Sequence, residues 1–217
     1  MRAKRNVFLV ESDVEQCSMI SELLAASRYK VKPFPSAESF LKDAESMTEG
    51  IMLLDQCLIG MSGLELQDNL ARRGTDLPIV FISERRDVRS AVKAIKSGAI
   101  DFLEKPASNE KLLASIKEAF CHADENKRNS LWVTELRKCY ANLSDREREI
   151  MQHVTAGMTS RSVGELLGLS YRTVEVHRAN IMKKMQANSI PDLVRKNAIC
   201  LNTGQYRLRG AGARKKH

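Results

Sequence analysis

Short apolar runs alternate with longer, partly polar stretches over the first hundred residues. Five runs of four to six residues suit buried strands: 7–10, 29–34, 51–54, 78–82 and 100–103. The stretches 14–28, 36–47, 63–73 and 87–97 repeat apolar side chains every three or four positions, which is typical of helices. This order predicts a doubly wound α/β domain built on a five-stranded parallel sheet.

The pattern is helical in the second half of the chain. Polar residues 122–129 interrupt an apolar stripe that resumes at Leu131 and Trp132, which predicts a long fifth helix or a helical linker to about Asn142. Ser144 and Glu147 have the spacing of a capping box, so a new helix begins there and ends near Gly157.

A second short helix is predicted at 161–167, and a third follows directly. Gly168 supplies the turn between them and Ser170 caps the third helix. Gly164 is a poor helix former, and a small residue there makes sense if the third helix crosses closely over it. Two helices joined by a short glycine turn are the helix-turn-helix pattern.

The third helix has two distinct faces at 100° per residue. Val174, Ile181 and Met185 fall together and should face the core. The opposite face carries Arg172, Val176, Ala179 and Lys183, flanked by Glu175 and Asn180. Small apolar groups among polar ones suit the DNA major groove, where they meet thymine methyls while Arg, Asn and Glu address base edges. Candidates for phosphate contacts are Lys183, Lys184, Arg178, Tyr171 and Thr173. A helical protein-interaction module is the alternative.

Charge supports a polyanionic partner for the second half only. From Tyr140 onward there are 14 Lys and Arg residues against 6 Asp and Glu residues, whereas the preceding part has 21 of each. A basic module beside a neutral one is typical of nucleic-acid binding, although a solvated basic surface would have the same composition. Five of the basic residues lie in the segment 204–217, which we expect to be a disordered tail.

Other features of the composition favour a cytoplasmic protein without a membrane span. No apolar run approaches the roughly 20 residues that a bilayer requires. The apolar stretch after the basic N-terminus stops at Glu11, which is too short for a signal peptide and suits a first strand. Five cysteines without CxxC spacing favour reduced thiols, and nothing in their spacing favours a redox sensor.

Chemically active residues follow four of the predicted strands. They are Glu11, Asp55, Ser83 and Lys105, and in a parallel sheet the carboxyl ends of the strands share one edge. Two carboxylates about 4 Å apart repel by about 4 kcal/mol at an effective dielectric constant of 20, so they require a cation such as Mg²⁺. One carboxylate is then a candidate nucleophile toward a phosphoryl group. Alternatively, each residue is structural: an aspartate that caps a helix and a lysine that pairs with it.

These residues resemble the receiver domains of bacterial two-component response regulators, whose fold is flavodoxin-like. The resemblance covers roughly residues 5–120 and depends on the acidic turn 11–13, the segments 54–63 and 99–106, and Ser83. It implies that Asp55 accepts the phosphate, that Lys105 is its counter-charge, and that Ser83 and Phe102 form the switch. It also implies a Mg²⁺ site that includes Glu11, Asp55 and the carbonyl of Cys57.

Several positions depart from the receiver pattern. Ser12 stands where the second metal-site acid is usual, and Asp13, one place along, points to the other face of an extended segment. Glu84 follows Ser83 where a small residue is usual, and its carboxylate would repel an incoming phosphate. Ile59 and Ala107 also depart from the pattern. The nucleophile and the lysine are retained while the metal site is weakened.

Residues 143–200, above all 172–182, resemble the LuxR-type DNA-binding domain of the NarL/FixJ branch of response regulators. The resemblance implies an all-α, four-helix helix-turn-helix domain whose fourth helix, about 190–200, pairs two subunits on DNA. We therefore divide the chain into a receiver domain (1–122), a helical linker (123–142), a DNA-binding domain (143–203) and the tail.

The resulting hypothesis is a transcriptional regulator that binds double-stranded DNA as a homodimer when a sensor histidine kinase phosphorylates Asp55. In the alternative, Ser12 and Glu84 make the receiver atypical, and another signal or constitutive dimerisation controls DNA binding. A phosphohydrolase with an aspartyl nucleophile is a rival, but the sequence offers no second acid near Asp55 for a leaving group, so we expect no enzyme. An adaptor that uses the helical domain is the other rival.

Overall fold

The computed structural model describes residues 5–44, 49–84 and 87–201. The chain forms two compact units with the boundary between Glu125 and Asn126. The predicted tail, 204–217, and the last residues of the helix predicted at 36–47 lie outside the described residues.

The first unit contains a five-stranded parallel sheet, as predicted. Its strands are β1 (Asn6–Val10), β2 (Lys30–Phe34), β3 (Ile51–Asp55), β4 (Ile79–Ser83) and β5 (Asp101–Glu104). Their order in the sheet is β2-β1-β3-β4-β5, and every neighbouring pair is parallel. The helices are α1 (Val14–Ala26), α2 (Ala37–Asp43), α3 (Gly63–Arg73), α4 (Val88–Lys96) and α5 (Asn109–Ala141).

The three inner strands, β1, β3 and β4, are buried on both faces, which explains their continuous apolar runs. The edge strands β2 and β5 are mostly half-buried or exposed, so the expectation that all five strands are buried was wrong for these two. In β1, Phe8 and Val10 join one hydrophobic cluster while Val7 and Leu9 join the other. Successive side chains of a strand point to opposite faces, so each run fills both clusters. Each fully buried side chain of this size contributes about 1.5–3 kcal/mol relative to exposure.

Several predicted boundaries were wrong by one or two residues, mainly because capping residues lie outside the helices they stabilise. The helix predicted from 87 begins at Val88, since the Asp87 side chain accepts a hydrogen bond from the Arg89 amide. The helix predicted to 28 ends at Ala26, and Arg28 has a positive φ of 67°.

None of the helices in the described part of the chain combines the length and the apolar composition that a membrane span requires.

The second unit is all-α. After the end of α5 it contains α6 (Asp145–Thr155), α7 (Ser160–Leu167), α8 (Tyr171–Lys184) and α9 (Ile190–Leu201). The predicted capping box of Ser144 and Glu147 is present, and Ser170 caps α8 as expected. Thr159 caps α7, which we did not predict. The core includes Leu136, Ile150, Val163 and Leu193.

The need for glycine at position 164 has a different origin from the one expected. A Cβ atom there would lie 2.7 Å from the carbonyl oxygen of Leu169, which belongs to the turn between α7 and α8. The nearest atom of α8, Val174 Cγ2, would be at 3.7 Å, an ordinary contact. Gly164 therefore allows the turn backbone to fold tightly against α7.

One ion pair joins the start of α6 to the end of α8. Lys184 Nζ lies 2.6 Å from Glu147 Oε2, and the Glu147 side chain keeps only 5% of its exposure. Burial alone would raise the pKa of Glu147, but the hydrogen bonds from Lys184 and the Ser144 amide lower it below its ordinary value. The ionised carboxylate therefore stabilises the folded state above the unfolded-state pKa of about 4.3, and this contribution is lost as the pH falls.

Replacing Lys184 with Met should lower the free energy of unfolding by about 1–3 kcal/mol at pH 7, because Glu147 is left buried without its cationic partner. The difference in the free energy of unfolding between the variant and the unsubstituted protein should narrow as the pH falls toward 4. Burial favours the protonated form of Glu147 in the variant, so the missing lysine matters less at low pH. Urea unfolding followed by circular dichroism measures both effects.

Lys183→Met is the matched control, because Lys183 is the exposed neighbour of Lys184. Its effect should stay within about 0.5 kcal/mol. Equal losses from the two substitutions would show that the ion pair contributes nothing specific.

Candidate functional site

The four residues predicted at the strand ends meet at one edge of the sheet. Glu11 follows β1, Asp55 ends β3, Ser83 ends β4 and Lys105 follows β5. These four strands are consecutive neighbours in the sheet, so their carboxyl ends are adjacent. Glu11, Asp55 and Ser83 are all buried.

Lys105 lies between the two carboxylates. Its Nζ is 2.7 Å from Glu11 Oε2 and 3.4 Å from Asp55 Oδ2. Burial lowers the pKa of Lys105, but the two acids outweigh it and raise the pKa above its usual value. Burial raises the pKa of Glu11, whose side chain has no exposure left, although Lys105 and the Asp13 amide oppose the shift. A charged lysine thus partly compensates two acids whose side chains are buried.

The backbone around Asp55 fixes its carboxylate. Asp55 Oδ1 accepts a hydrogen bond from the Cys57 amide at 3.1 Å. The loop after β3 returns to the strand end, where the Gly63 amide donates to the Gln56 carbonyl at 3.1 Å. A Cβ atom on Gly63 would lie 2.4 Å from the Asp55 carbonyl oxygen, so only glycine fits at the start of α3.

Gln56 is a site residue that the sequence did not indicate. Ser83 Oγ donates a hydrogen bond to Gln56 Oε1 at 2.8 Å, and Ser83 is completely buried. The Phe102 ring stacks on Phe81 with the centroids 5.9 Å apart. The hydroxyl and the aromatic ring assigned to the switch are therefore on neighbouring strands, and the hydroxyl is engaged by Gln56.

The acidic turn and Glu84 are tied to α1. The Asp13 side chain caps α1 by accepting a hydrogen bond from the Gln16 amide at 3.0 Å, which is a structural role. Glu84 is exposed, and its Oε1 accepts from Gln16 Nε2 at 2.8 Å. Gln16 thus holds the additional carboxylate at the end of β4.

The oxygen donors at this edge suit Mg²⁺. Within 5–44, 49–84 and 87–201, no three or more His, Cys, Asp and Glu side chains form a metal-binding group. Magnesium, however, usually takes one or two carboxylates and completes its shell with water and phosphate oxygens. A single cation, the Lys105 ammonium, already contacts both Glu11 and Asp55, so the two acids converge on one positive centre.

The face of α8 that was predicted to contact DNA is exposed, and the face predicted to pack in the core is buried. We call the exposed face, residues 172, 175, 176, 179, 180 and 183, the α8 ridge. Val174, Ile181 and Met185 are at most 1% exposed, as the helical pattern predicted. On the other face the exposed side chains are Arg172, Glu175, Val176, Ala179, Asn180 and Lys183. Val176 keeps 55% of its exposure, which is high for an aliphatic side chain without a partner.

Some of the residues predicted to contact DNA have partners within the chain. Lys184 pairs with Glu147, as described above. The Thr173 amide is bound by the Ser170 hydroxyl at 3.0 Å. Glu175 accepts a hydrogen bond from Ser160, which in turn accepts one from Arg178 Nη1 at 2.9 Å. These contacts brace α8 against α6 and α7.

Known families match both units. Residues 7–117 match the response regulator receiver domain, and residues 141–197 match the luxR family of bacterial regulatory proteins. The response regulator protein TmoT of Ectopseudomonas mendocina is 41% identical, with 87% of this chain and 86% of TmoT aligned. The transcriptional regulatory protein TdiR of Thauera aromatica is 36% identical, with 94% of this chain and 92% of TdiR aligned.

Solved structures agree with this assignment. The response regulator StyR is similar at a TM-score of 0.74 and 33% identity, covering 90% of this chain and 99% of StyR. Full-length FixJ from B. japonicum is similar at a TM-score of 0.57 and 31% identity, covering 93% of this chain and all 100% of FixJ. The chain therefore belongs to the two-component response regulators that combine a receiver domain with a LuxR-type DNA-binding domain.

Proposed function

We propose that this response regulator is a transcription factor whose DNA binding is controlled by phosphorylation of Asp55. The observation that carries the proposal is the environment of that carboxylate, which Lys105 faces at 3.4 Å and the Cys57 amide holds at 3.1 Å. The proposed partners are a sensor histidine kinase, double-stranded DNA and a second copy of the chain. Its DNA target places its action in the bacterial cytoplasm.

Asp55 is the proposed nucleophile. One of its carboxylate oxygens attacks phosphorus, the bond from phosphorus to the donor's leaving atom breaks, and the donor leaves with that electron pair. Lys105 is positioned to balance charge on the transferred group. When bound by Glu11, Asp55 and the Cys57 carbonyl, Mg²⁺ would supply further charge stabilisation to the phosphoryl oxygens. Asp13, as the cap of α1, is a weaker candidate for that site.

Ser83 and Phe102 are the proposed switch. To donate to a phosphoryl oxygen, the Ser83 hydroxyl gives up its bond to Gln56. Replacing the hydrogen bond to the neutral Gln56 amide with one to an anionic phosphoryl oxygen is favourable, because hydrogen bonds to charged acceptors are stronger. Phe102 then moves with it, which remodels the face formed by α4 and β5. Val88, Val92 and Ile95 on α4 are exposed there, and they provide an apolar surface for a second copy.

Acetyl phosphate and Mg²⁺ should convert the full-length protein to a species heavier by one phosphoryl group, as measured by intact mass spectrometry. Asp55→Asn should abolish the adduct because it removes the nucleophile. Asp68→Asn, which alters a half-buried aspartate on α3, is the matched control and should leave the yield unchanged. An adduct that persists in Asp55→Asn would reject this assignment.

The α8 ridge is the proposed reader of DNA. It offers cations at Arg172 and Lys183, small apolar groups at Val176 and Ala179, and an amide at Asn180. In helix-turn-helix proteins the recognition helix lies in the major groove, where these groups match the base edges. The proposed phosphate contacts are Lys183 and Thr173, while Lys184 is already paired with Glu147.

Lys183→Glu should weaken binding to operator DNA by at least about tenfold at low salt and should reduce the slope of log affinity against log salt, because a phosphate contact is lost. Fluorescence anisotropy at several salt concentrations measures both quantities. Lys42→Glu makes the same charge change on α2 and should have little effect. If both variants bind alike, the ridge is not the DNA contact, and the adaptor hypothesis gains support.

A weakly phosphorylated receiver is the second candidate, and the acidic turn favours it. Asp13 caps α1 and Ser12 is no acid, so the turn after β1 supplies one acid, Glu11, to the proposed metal site where receiver domains usually have two. Glu84 adds a negative charge after the switch serine. In this version another signal or constitutive dimerisation controls DNA binding. Neither version gives steady hydrolysis of a phosphate ester, which would instead identify a phosphohydrolase.

Glu84→Ala should accelerate formation of the Asp55 adduct by about fivefold, equivalent to removing roughly 1 kcal/mol of repulsion from the incoming phosphate. The initial rate of adduct formation by intact mass is the readout. Glu118→Ala, on the exposed side of α5, makes the same charge change as a control. An unchanged or slower rate in Glu84→Ala would show that Glu84 does not repel the donor.

A further inference from the structure

Glu175 is an acid on a surface that we propose meets DNA. It is the fifth residue of α8, and its side chain keeps 46% of its exposure. Arg172, Val176 and Ala179 are exposed beside it on the same face of the helix. A carboxylate so placed is repelled by the phosphates, and a free one would swing away from them. Some interaction within the chain must therefore hold the Glu175 side chain at this surface.

The structure holds Glu175 in place through a relay from α7. Ser160, which is only 6% exposed, donates its hydroxyl to Glu175 Oε1. Arg178 Nη1 donates to the same Ser160 oxygen at 2.9 Å, and Arg178 Nε lies 3.7 Å from Glu175 Oε1. The carboxylate is thus fixed by a buried hydroxyl and partly neutralised by an arginine. Both effects reduce the entropic and electrostatic free-energy cost of bringing the Glu175 carboxylate near DNA.

The relay engages only one oxygen of the carboxylate. In the described parts of the chain, both polar contacts of the Glu175 side chain are to Oε1, and Oε2 accepts no hydrogen bond. The side chain therefore presents a hydrogen-bond acceptor of fixed orientation from the first half of the recognition helix. In helix-turn-helix proteins this part of the helix contacts base edges.

We propose that Glu175 is a specificity-determining residue that accepts a hydrogen bond from the N4 amino group of a cytosine in the major groove, with Ser160 as its positioning residue. This inference rests on the proposed DNA binding by α8. An ionised carboxylate only accepts hydrogen bonds. Cytosine presents a donor there, whereas adenine presents a donor beside the N7 acceptor, guanine presents acceptors, and thymine presents an acceptor and a methyl group. Cytosine is the base that the carboxylate matches.

Selection of duplexes from a randomised pool by the full-length protein, with and without acetyl phosphate, tests this inference. The unsubstituted protein should enrich cytosine at one fixed position of each half-site. Glu175→Ala should reduce that preference by about tenfold while the other positions keep theirs. Glu175→Gln should shift the preference toward adenine, because an amide both donates and accepts. Ser160→Ala should weaken the cytosine preference at the same position although Glu175 is present.

Glu165→Gln, an exposed acid on α7, is the matched control and should leave the selected sequence unchanged. If Glu175 only links α7 to α8, its substitution will lower affinity evenly at all positions, and the cytosine assignment is then wrong. A change confined to a position that prefers guanine, thymine or adenine in the unsubstituted protein would also overturn it. Failure to enrich any duplex would contradict the proposed DNA binding itself, and this inference with it.

Discussion

The charge balance at the carboxyl edge of the sheet is the constraint on which the receiver site depends. Glu11 and Asp55 are both buried, and two ionised acids in such a volume repel strongly. Lys105 contacts both of them, so these three side chains together carry one net negative charge when all are ionised. Removal of that lysine would leave both buried acids without their cationic partner, a change that typically destabilises a protein by about 3–5 kcal/mol. The same lysine faces the carboxylate that we propose as the nucleophile, so fold stability and phosphate binding share one side chain.

The sequence was sufficient to predict the sheet and the order of the elements, because the three inner strands are uninterrupted apolar runs and helical periodicity separates all five strands. It was less accurate at the ends of helices. Asp87 and Ser36 each begin a stretch that was predicted to be helical, yet their side chains accept hydrogen bonds from amides of the first turn, so both are N-caps just outside the helix. The close packing at Gly164 was foreseen, but its cause, a carbonyl oxygen of the following turn, depends on backbone geometry that periodicity does not describe.

The strand-end residues could be predicted because a parallel sheet gathers the ends of its strands, whatever their separation in sequence. The partners of those residues could not. Gln56 meets Ser83 across 27 positions and Lys184 meets Glu147 across 37, and neither pair follows a repeat or a motif. Lys184 was predicted as a phosphate contact, and the sequence did not indicate its pairing with Glu147. The Lys184 side chain points toward the start of α6, whereas the adjacent Lys183 lies on the exposed face of the helix. This difference depends on how the helices pack.

In each domain, a side chain that we propose as a ligand contact already has a hydrogen-bond partner within the chain. Ser83 is bound to Gln56 in one domain, and Glu175 is bound to Ser160 in the other. The physical consequences differ because the groups differ. A hydroxyl has one proton to donate, so Ser83 would have to release Gln56 to donate to a phosphoryl group, and this exchange is the basis of the proposed switch. A carboxylate has two oxygens, so Glu175 could keep its bond to Ser160 and still accept one from a base, and the intramolecular bond would then preorganise the proposed contact. The number of acceptor and donor sites on the side chain therefore decides whether an intramolecular hydrogen bond opposes ligand binding or prepares for it.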